Sequence, residues 1–174
     1  MKIAESLKYF VVSLLIAAVA PVFAADDVKV LEIDDLESVG KLAADKRLPI
    51  MLMLSAEHCG YCSRVEEEYL KPMLRSGDYG DRALIRKMKI DNYNKMRDFD
   101  GSAITPAEFA DRYDVFVTPT VVFLDGNGVE IGEKRVGLMT PDYYGGYLDI
   151  SIDEALNILR RNKPMRVNLT SFEE

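Results

Sequence analysis

The stretch SAEHCGYCSRVEEEYL, residues 55–70, contains both cysteines of the chain, Cys59 and Cys62, and its one histidine, His58. It overlaps the end of LPIMLMLSA, residues 48–56, a continuous apolar run of strand length. Such a run predicts a strand buried on both faces, as in the centre of a parallel sheet. From Gly60 the apolar spacing becomes helical, so the cysteines lie where a buried strand is predicted to run into a helix.

This position predicts redox chemistry at the two thiols. Cys59 would lie near the unpaired N–H groups and positive dipole end of the helix, which lower the pKa of a thiol. Its thiolate could attack a substrate disulfide, and Cys62, one turn later, could attack the resulting mixed disulfide. Gly60 and Tyr61 between them allow the turn and are expected to modulate the site. A pair this close closes almost no loop, so it adds little as a structural staple.

The first 24 residues have the layout of a secretory signal peptide. Lys2 and Lys8 precede an apolar run over residues 9–20, and small residues lead to Ala24. The run is shorter than the ~20 residues that cross a bilayer, and Pro21 interrupts it. We expect cleavage after about Ala24, export to the periplasm, one domain over residues 25–162 and a tail over residues 163–174.

The net charge limits the partners that we expect. The formal charge of −7 at pH 7 argues against nucleic acid or an anionic membrane surface as a partner. Only one cysteine pair is present, so the chain does not resemble a secreted mini-protein stapled by several bridges. We expect a monomer.

The remaining pattern predicts helices alternating with strands. Residues 28–33 read as an edge strand, and Asp34 with Glu37 as the cap of a helix that follows. The helix from Gly60 is expected to end near Lys71, before Pro72, and residues 83–91 to form a strand. Residues 92–104 show no period and read as a loop. Two groups of side chains are also predicted. A solvent-exposed helix face is formed by Glu66, Glu67 and Glu68, and the core is filled by Met51, Met53, Met88 and Met139.

The second half closes the predicted sheet. Thr105 and Glu108 predict a capped helix to about residue 113, and DGNG at residues 125–128 predicts a β-hairpin. A last helix over residues 143–159 is expected to break at Gly145 and Gly146, with Ser151 as a second cap. The order implies an α/β fold, a mixed central β-sheet flanked by α-helices.

Three segments together resemble the thioredoxin fold: EHCGYC after the apolar strand, VTPT before the final hairpin and RVG after it. The resemblance covers about residues 28–161. It implies that Cys59 is the exposed attacking thiol and Cys62 the buried resolving thiol. It also implies a cis-proline at Pro119, with Thr118 presenting backbone to the substrate. The third segment of the implied substrate groove is formed by Val136, Gly137 and Leu138.

Within that superfamily two groups are similar to this chain. The signal peptide and the long segment after the first helix resemble SoxW-type periplasmic thioredoxins. C-G-Y-C with threonine before the proline is similar to periplasmic disulfide isomerases, whose N-terminal dimerisation module is not matched here. The resemblance implies reduction of periplasmic protein disulfides, electrons from a membrane thiol donor, and no cofactor beyond the Cys59–Cys62 disulfide.

Two positions depart from the thioredoxin pattern. His58 stands where tryptophan usually precedes the first cysteine, and Met53 where a buried aspartate usually accepts the proton of the resolving thiol. Glu57 is either a substitute acceptor or a solvated side chain. His58 is either a surface residue or an imidazolium that stabilises the Cys59 thiolate and raises the reduction potential.

Other functions remain open at this stage. Isomerase or oxidase activity would use the same dithiol, because direction depends on potential and partners. A metallochaperone would hold Cu(I) or Zn(II) with Cys59, Cys62 and His58. Adjacent His58 and Cys59 make a strained ligand pair, and a closed zinc site would lack a fourth ligand, so no metal is predicted. A redox-responsive binding protein using an aromatic face at Tyr143, Tyr144 and Tyr147 is a third class.

Overall fold

A computed structural model describes residues 28–161. The predicted signal peptide, residues 1–24, and the predicted tail, residues 163–174, lie outside the described residues. Within residues 28–161, no helix has both the length and the apolar character needed to span a membrane.

The centre of the fold is a five-stranded mixed sheet. Its strands are β1 (Leu31–Glu32), β2 (Ile50–Ser55), β3 (Leu84–Lys89), β6 (Thr120–Leu124) and β7 (Arg135–Val136), and they lie side by side in the order β1-β3-β2-β6-β7. β1, β3 and β2 run parallel, while β6 pairs antiparallel with both β2 and β7. Every residue of β2 is buried, as its apolar run predicted. The predicted mixed sheet, with β1 at one edge, is confirmed.

Helices lie between and after the strands. They are α1 (Leu36–Lys46), α2 (Gly60–Val65), α3 (Lys71–Ser76), α4 (Pro106–Arg112) and α5 (Pro141–Arg161), with a π-helical turn at Glu66–Leu70 between α2 and α3. Thr105 caps α4 and forms the predicted capping box with Glu108. The predicted cap of α1 was wrong by one residue. Asp35, not Asp34, accepts the Ser38 N–H over 2.9 Å, and Glu37 instead binds Lys41.

The prediction that the helix carrying the cysteines ends before Pro72 is wrong. At the π turn the Lys71 N–H donates to the Glu66 carbonyl, five residues back, and α3 then continues to Ser76. Pro72 therefore occupies the first turn of a new helical segment, where a missing N–H costs nothing. The helix α3 ends at Ser76, and its C-cap is Gly77, which has a φ of 79°.

Residues 92–104 contain more structure than the predicted loop. β4 (Met96–Arg97) and β5 (Ala103–Ile104) form a small antiparallel pair. Between them the buried Asp98 binds the Arg112 guanidinium of α4 through both carboxylate oxygens. Two-residue strands are too short to show a period in the sequence.

The last helix is continuous through Gly145 and Gly146, so the predicted break is wrong. Ser151 is not a cap but a fully buried residue in the middle of α5. Its hydroxyl donates to the Glu133 carbonyl over 3.0 Å and accepts from Arg135 Nε over 2.9 Å. Here a local cap signature was overridden by a tertiary contact to the strand end.

The predicted turn at residues 125–128 is present and touches α1. Asp125 Oδ1 accepts the Asn127 and Val129 N–H groups, each over 2.8 Å. A Cβ on Gly40 of α1 would collide with the Gly126 carbonyl and the Phe99 ring. Gly40 therefore allows the helix to lie directly against the hairpin turn.

Candidate active site

The two cysteines form a disulfide at the end of the central strand. Cys59 lies four residues after β2 and is the N-cap of α2, and its Sγ is 2.05 Å from Cys62 Sγ. Cys62 is 5% exposed, while Cys59 is half-buried. The more accessible cysteine is therefore Cys59, at the N-terminus of α2.

The start of α2 surrounds Cys59 with hydrogen-bond donors. Its Sγ accepts the Cys62 N–H over 3.2 Å, and its carbonyl accepts the Ser63 N–H over 3.1 Å. Free N–H groups and the positive end of the helix dipole favour an anion at this position. After reduction, the same geometry stabilises a thiolate at Cys59.

The two residues before Cys59 lie on the surface. The Glu57 N–H donates to Asp91 Oδ2 over 2.8 Å, and the Glu57 carboxylate binds Lys89 Nζ over 2.6 Å. The hydrogen bond from Lys89 lowers the pKa of Glu57, so this carboxylate is held as an anion at the end of β3. His58 is exposed and has a φ of 55°, a left-handed conformation that is uncommon for non-glycine residues.

A second segment reaches the disulfide from the loop before β6, the strand that neighbours β2. The Thr118–Pro119 peptide bond is cis, and Pro119 is buried. The Thr118 hydroxyl donates to Cys59 Sγ over 3.6 Å. The Thr120 hydroxyl in turn donates to the Val117 carbonyl over 2.7 Å, which fixes the loop before the strand.

The third segment is fixed to the second. The Gly137 N–H donates to the Pro119 carbonyl over 2.7 Å, and Val136 pairs with Thr120 in the sheet. Gly137 has a φ of 68°, which glycine adopts without strain. The structure thus joins this segment to Pro119 and, through Thr118, to Cys59.

An apolar surface occurs on these three segments. Phe116 is 78% exposed and Met139 is 71% exposed, so the prediction that Met139 fills the core is wrong. Neither Phe116 nor the exposed Val117 was predicted as a site residue, although an apolar pair directly before the Thr118–Pro119 bond is a usable signal. The exposed apolar side chains on these segments are Tyr61, Phe116, Val117, Val136 and Met139.

The three glutamates of the active-site helix do not share one environment. Glu67 and Glu68 are exposed, as predicted, but the Glu66 side chain is only 17% exposed. It binds Lys87 Nζ of β3 through both oxygens, over 2.9 and 2.8 Å. The prediction of a wet face is therefore wrong for Glu66. Met53, in β2, is buried as predicted and is the sheet neighbour of Lys87.

No cluster of three or more His, Cys, Asp or Glu residues that could hold a metal ion occurs in residues 28–161. The described residues around the disulfide present sulfur and hydroxyl side chains, backbone groups and an apolar surface.

Comparisons with known proteins agree with this geometry. Residues 36–150 match the family described as "Thioredoxin-like domain". The crystal structure of a poplar wild-type thioredoxin h is similar, with a TM-score of 0.51 and 19% identity over 71% of this chain and 96% of that chain. A poplar thioredoxin h mutant gives a TM-score of 0.50 and 18% identity over 73% and 90%. No curated protein sequence matches significantly. The structural likeness confirms the predicted thioredoxin fold.

Proposed function

The chain belongs to the thioredoxin-like domain family and is a thiol:disulfide oxidoreductase, and on that premise we propose that it reduces the disulfides of exported proteins. Cys59 is the attacking thiol and Cys62 the resolving thiol. The observation that carries this proposal is the difference between the sulfurs: Cys59 caps the helix at the surface, while Cys62 is buried one turn behind it.

The reaction follows from that arrangement. The Cys59 thiolate attacks one sulfur of a substrate disulfide, and the other substrate sulfur leaves as a thiolate that solvent protonates. Cys62 then attacks Cys59 Sγ, forms the Cys59–Cys62 bond and releases the second substrate thiol. Substrate is reduced by two electrons, and the protein dithiol is oxidised to the disulfide.

Substrate binding is assigned to the segments beside Cys59. Thr118, Pro119, Val136 and Gly137 present backbone next to exposed apolar side chains, including Phe116. Such a surface suits an extended polypeptide that exposes apolar residues around its disulfide. His58, Gly60 and Tyr61 border the sulfurs and are assigned a modulating role.

Export and the source of electrons complete the proposal. The signal-peptide pattern of residues 1–24 supports a periplasmic location, and the resemblance to periplasmic thioredoxins supports a membrane thiol donor as the reductant that regenerates the dithiol. N-terminal sequencing of the protein purified from the periplasm tests the first point, with a new terminus just after Ala24 as the expected result.

Trapping tests the reaction itself. Cys62→Ser should hold partners on Cys59 as mixed disulfides, and Cys59→Ser is the matched control that should hold none. Recovery of exported substrate proteins and of a membrane thiol protein supports a reductase. Capture mainly of incompletely oxidised or wrongly paired proteins, without a membrane donor, would favour an isomerase or oxidase. Equal capture by both variants would exclude Cys59 as the attacking thiol.

A further inference from the structure

The buried resolving thiol needs a group that accepts its proton. Cys62 is 5% exposed, and burial in apolar surroundings disfavours the thiolate that must attack Cys59. Met53 in β2 carries no proton acceptor, and the Glu57 side chain in the loop is 57% exposed. A less exposed carboxylate, that of Glu66, is present on the helix itself.

Glu66 follows Cys62 by one helical turn. Its N–H donates to the Cys62 carbonyl, and side chains at this spacing lie about 5–6 Å apart at Cβ. The Glu66 side chain is 17% exposed, against 61% for Glu67 and 45% for Glu68. Of these three glutamates, Glu66 therefore lies nearest the buried flank that carries Cys62 and Val65.

Lys87 fixes the Glu66 carboxylate at that position. Its Nζ binds both oxygens, and its own side chain is only 20% exposed. Placing two charges where water is scarce costs free energy, and a buried ion pair often stabilises a fold no better than apolar residues would. The π turn also begins at Glu66, and such turns are frequent at functional sites. Both observations favour a role in the reaction over one in stability alone.

We propose that Glu66, positioned by Lys87, accepts the proton of the Cys62 thiol through one bridging water. This inference rests on the proposed function. The Cys62 S–H bond breaks as the proton passes to the Glu66 carboxylate. The Cys62 electron pair forms the bond to Cys59 Sγ, the Cys59–substrate S–S bond breaks, and the substrate sulfur leaves with the electron pair. Glu66 later returns its proton to solvent.

Other charged and titratable groups lie near the Glu66–Lys87 pair. Glu32 of β1 is the register partner of Lys87, Lys89 of β3 lies beside Glu57 and His58 of the loop, and Tyr69 within the π turn contacts Tyr144 of α5. Lys89 is paired with Glu57. The effect of Glu66 is therefore read from the difference between the pH profiles of the variants and the wild type, which carry the same surrounding groups.

The test separates the two chemical steps in the reduced protein. A chromogenic aromatic disulfide releases one coloured thiolate when Cys59 attacks and a second when Cys62 resolves the adduct. We expect Glu66→Gln to slow the second release about 10²-fold at neutral pH, the lower range for general base catalysis. In this variant the rate of the second release should rise with pH over the whole pH range measured, while the rate of the first release stays unchanged. Glu66→Asp should restore most of the rate.

Two further variants keep the test decisive. Glu67→Gln, one position away on the exposed face, should leave both releases unchanged. Glu66→Gln could destabilise the fold by leaving Lys87 unpaired, so Glu66→Gln/Lys87→Met removes both charges and should show the same slow second release. An unchanged second release in a folded Glu66 variant would overturn the assignment. A wild-type protein without the first release would instead overturn the proposed function.

Discussion

The Thr118 hydroxyl donates a hydrogen bond to Cys59 Sγ over 3.6 Å, across 59 positions of sequence. The bond joins the helix that carries the cysteines to the loop that enters β6. Because Thr118 precedes Pro119, whose carbonyl is bound by Gly137, the contact ties the sulfur to both neighbouring segments.

Removal of this donor should make the protein more reducing. In Thr118→Val the Cys59 thiolate loses a hydrogen bond, and bonds to charged groups contribute about 1.5–3 kcal/mol. The pKa of the thiol should then rise by about one to two units, and the potential should fall by about 30–60 mV. Thiolate absorbance and equilibration with glutathione measure the two quantities. Thr118→Ser keeps the hydroxyl and should resemble the wild type; an equal fall there would contradict the argument.

The effect of the His58 imidazole can be tested without disturbing the backbone conformation at residue 58. Its φ of 55° is tolerated best by glycine and asparagine, so His58→Asn removes the ring with little added strain. If the imidazolium stabilises the Cys59 thiolate, the pKa of the thiol should rise in this variant. The potential should fall by about 30 mV for each unit by which that pKa rises. Titration and potential that both match the wild type would leave His58 as a surface residue.

The Asp98–Arg112 pair should stabilise the fold in a pH-dependent way. The hydrogen bonds from Arg112 hold the pKa of Asp98 below its ordinary 3.8. The contribution is therefore complete above pH 3.8 and is lost as the pH falls through the lower pKa of the folded state. We expect Asp98→Asn to reduce the free energy of unfolding by about 2 kcal/mol at neutral pH.

Urea unfolding at several pH values measures this contribution. The difference between wild type and Asp98→Asn should shrink below pH 3.8, where the Asp98 carboxyl of the unfolded chain protonates while that of the folded protein is still ionised. Asp111→Asn, at an exposed position of α4, is the matched control and should change stability little. A difference that is constant at every pH would argue against an ionic contribution.

Two glycines in helices should respond in opposite ways to alanine. At Gly40 the new Cβ meets the Gly126 carbonyl, so Gly40→Ala should lower the free energy of unfolding by about 1–3 kcal/mol. At Gly146 nothing lies within 4 Å of the new Cβ, so Gly146→Ala should stabilise α5 by up to about 1 kcal/mol. Thermal unfolding of the two variants checks the pair. Destabilisation by Gly146→Ala would argue against a continuous α5.

Sequence alone predicted the elements whose signals are local. The apolar run of β2 leads into the helix at Gly60, Thr105 with Glu108 caps α4, and DGNG turns the last hairpin. The approach of Thr118 and Gly137 to the cysteines came only from the resemblance, because no local pattern states which loops meet at a sheet end.

Features that depend on tertiary partners were not predictable. Glu66 lies in a run of three glutamates that reads as a wet face, and its burial depends on Lys87 lying opposite in β3. A proline normally ends a helix. At Pro72 the helix continues, because the Lys71 N–H donates to the Glu66 carbonyl, five residues back. Ser151 has the local sequence of a helix cap, but in the fold its hydroxyl is hydrogen-bonded to the Glu133 carbonyl and to Arg135 Nε.

The outermost strands of the five-stranded sheet, β1 and β7, are only two residues long. Long unpaired strand edges recruit other chains into intermolecular sheets, and short edges resist this. Catalysis takes place at one end of the sheet, whereas its lateral margins offer almost no template for polymerisation. The two edge strands therefore disfavour edge-to-edge pairing of this sheet with a strand of another chain.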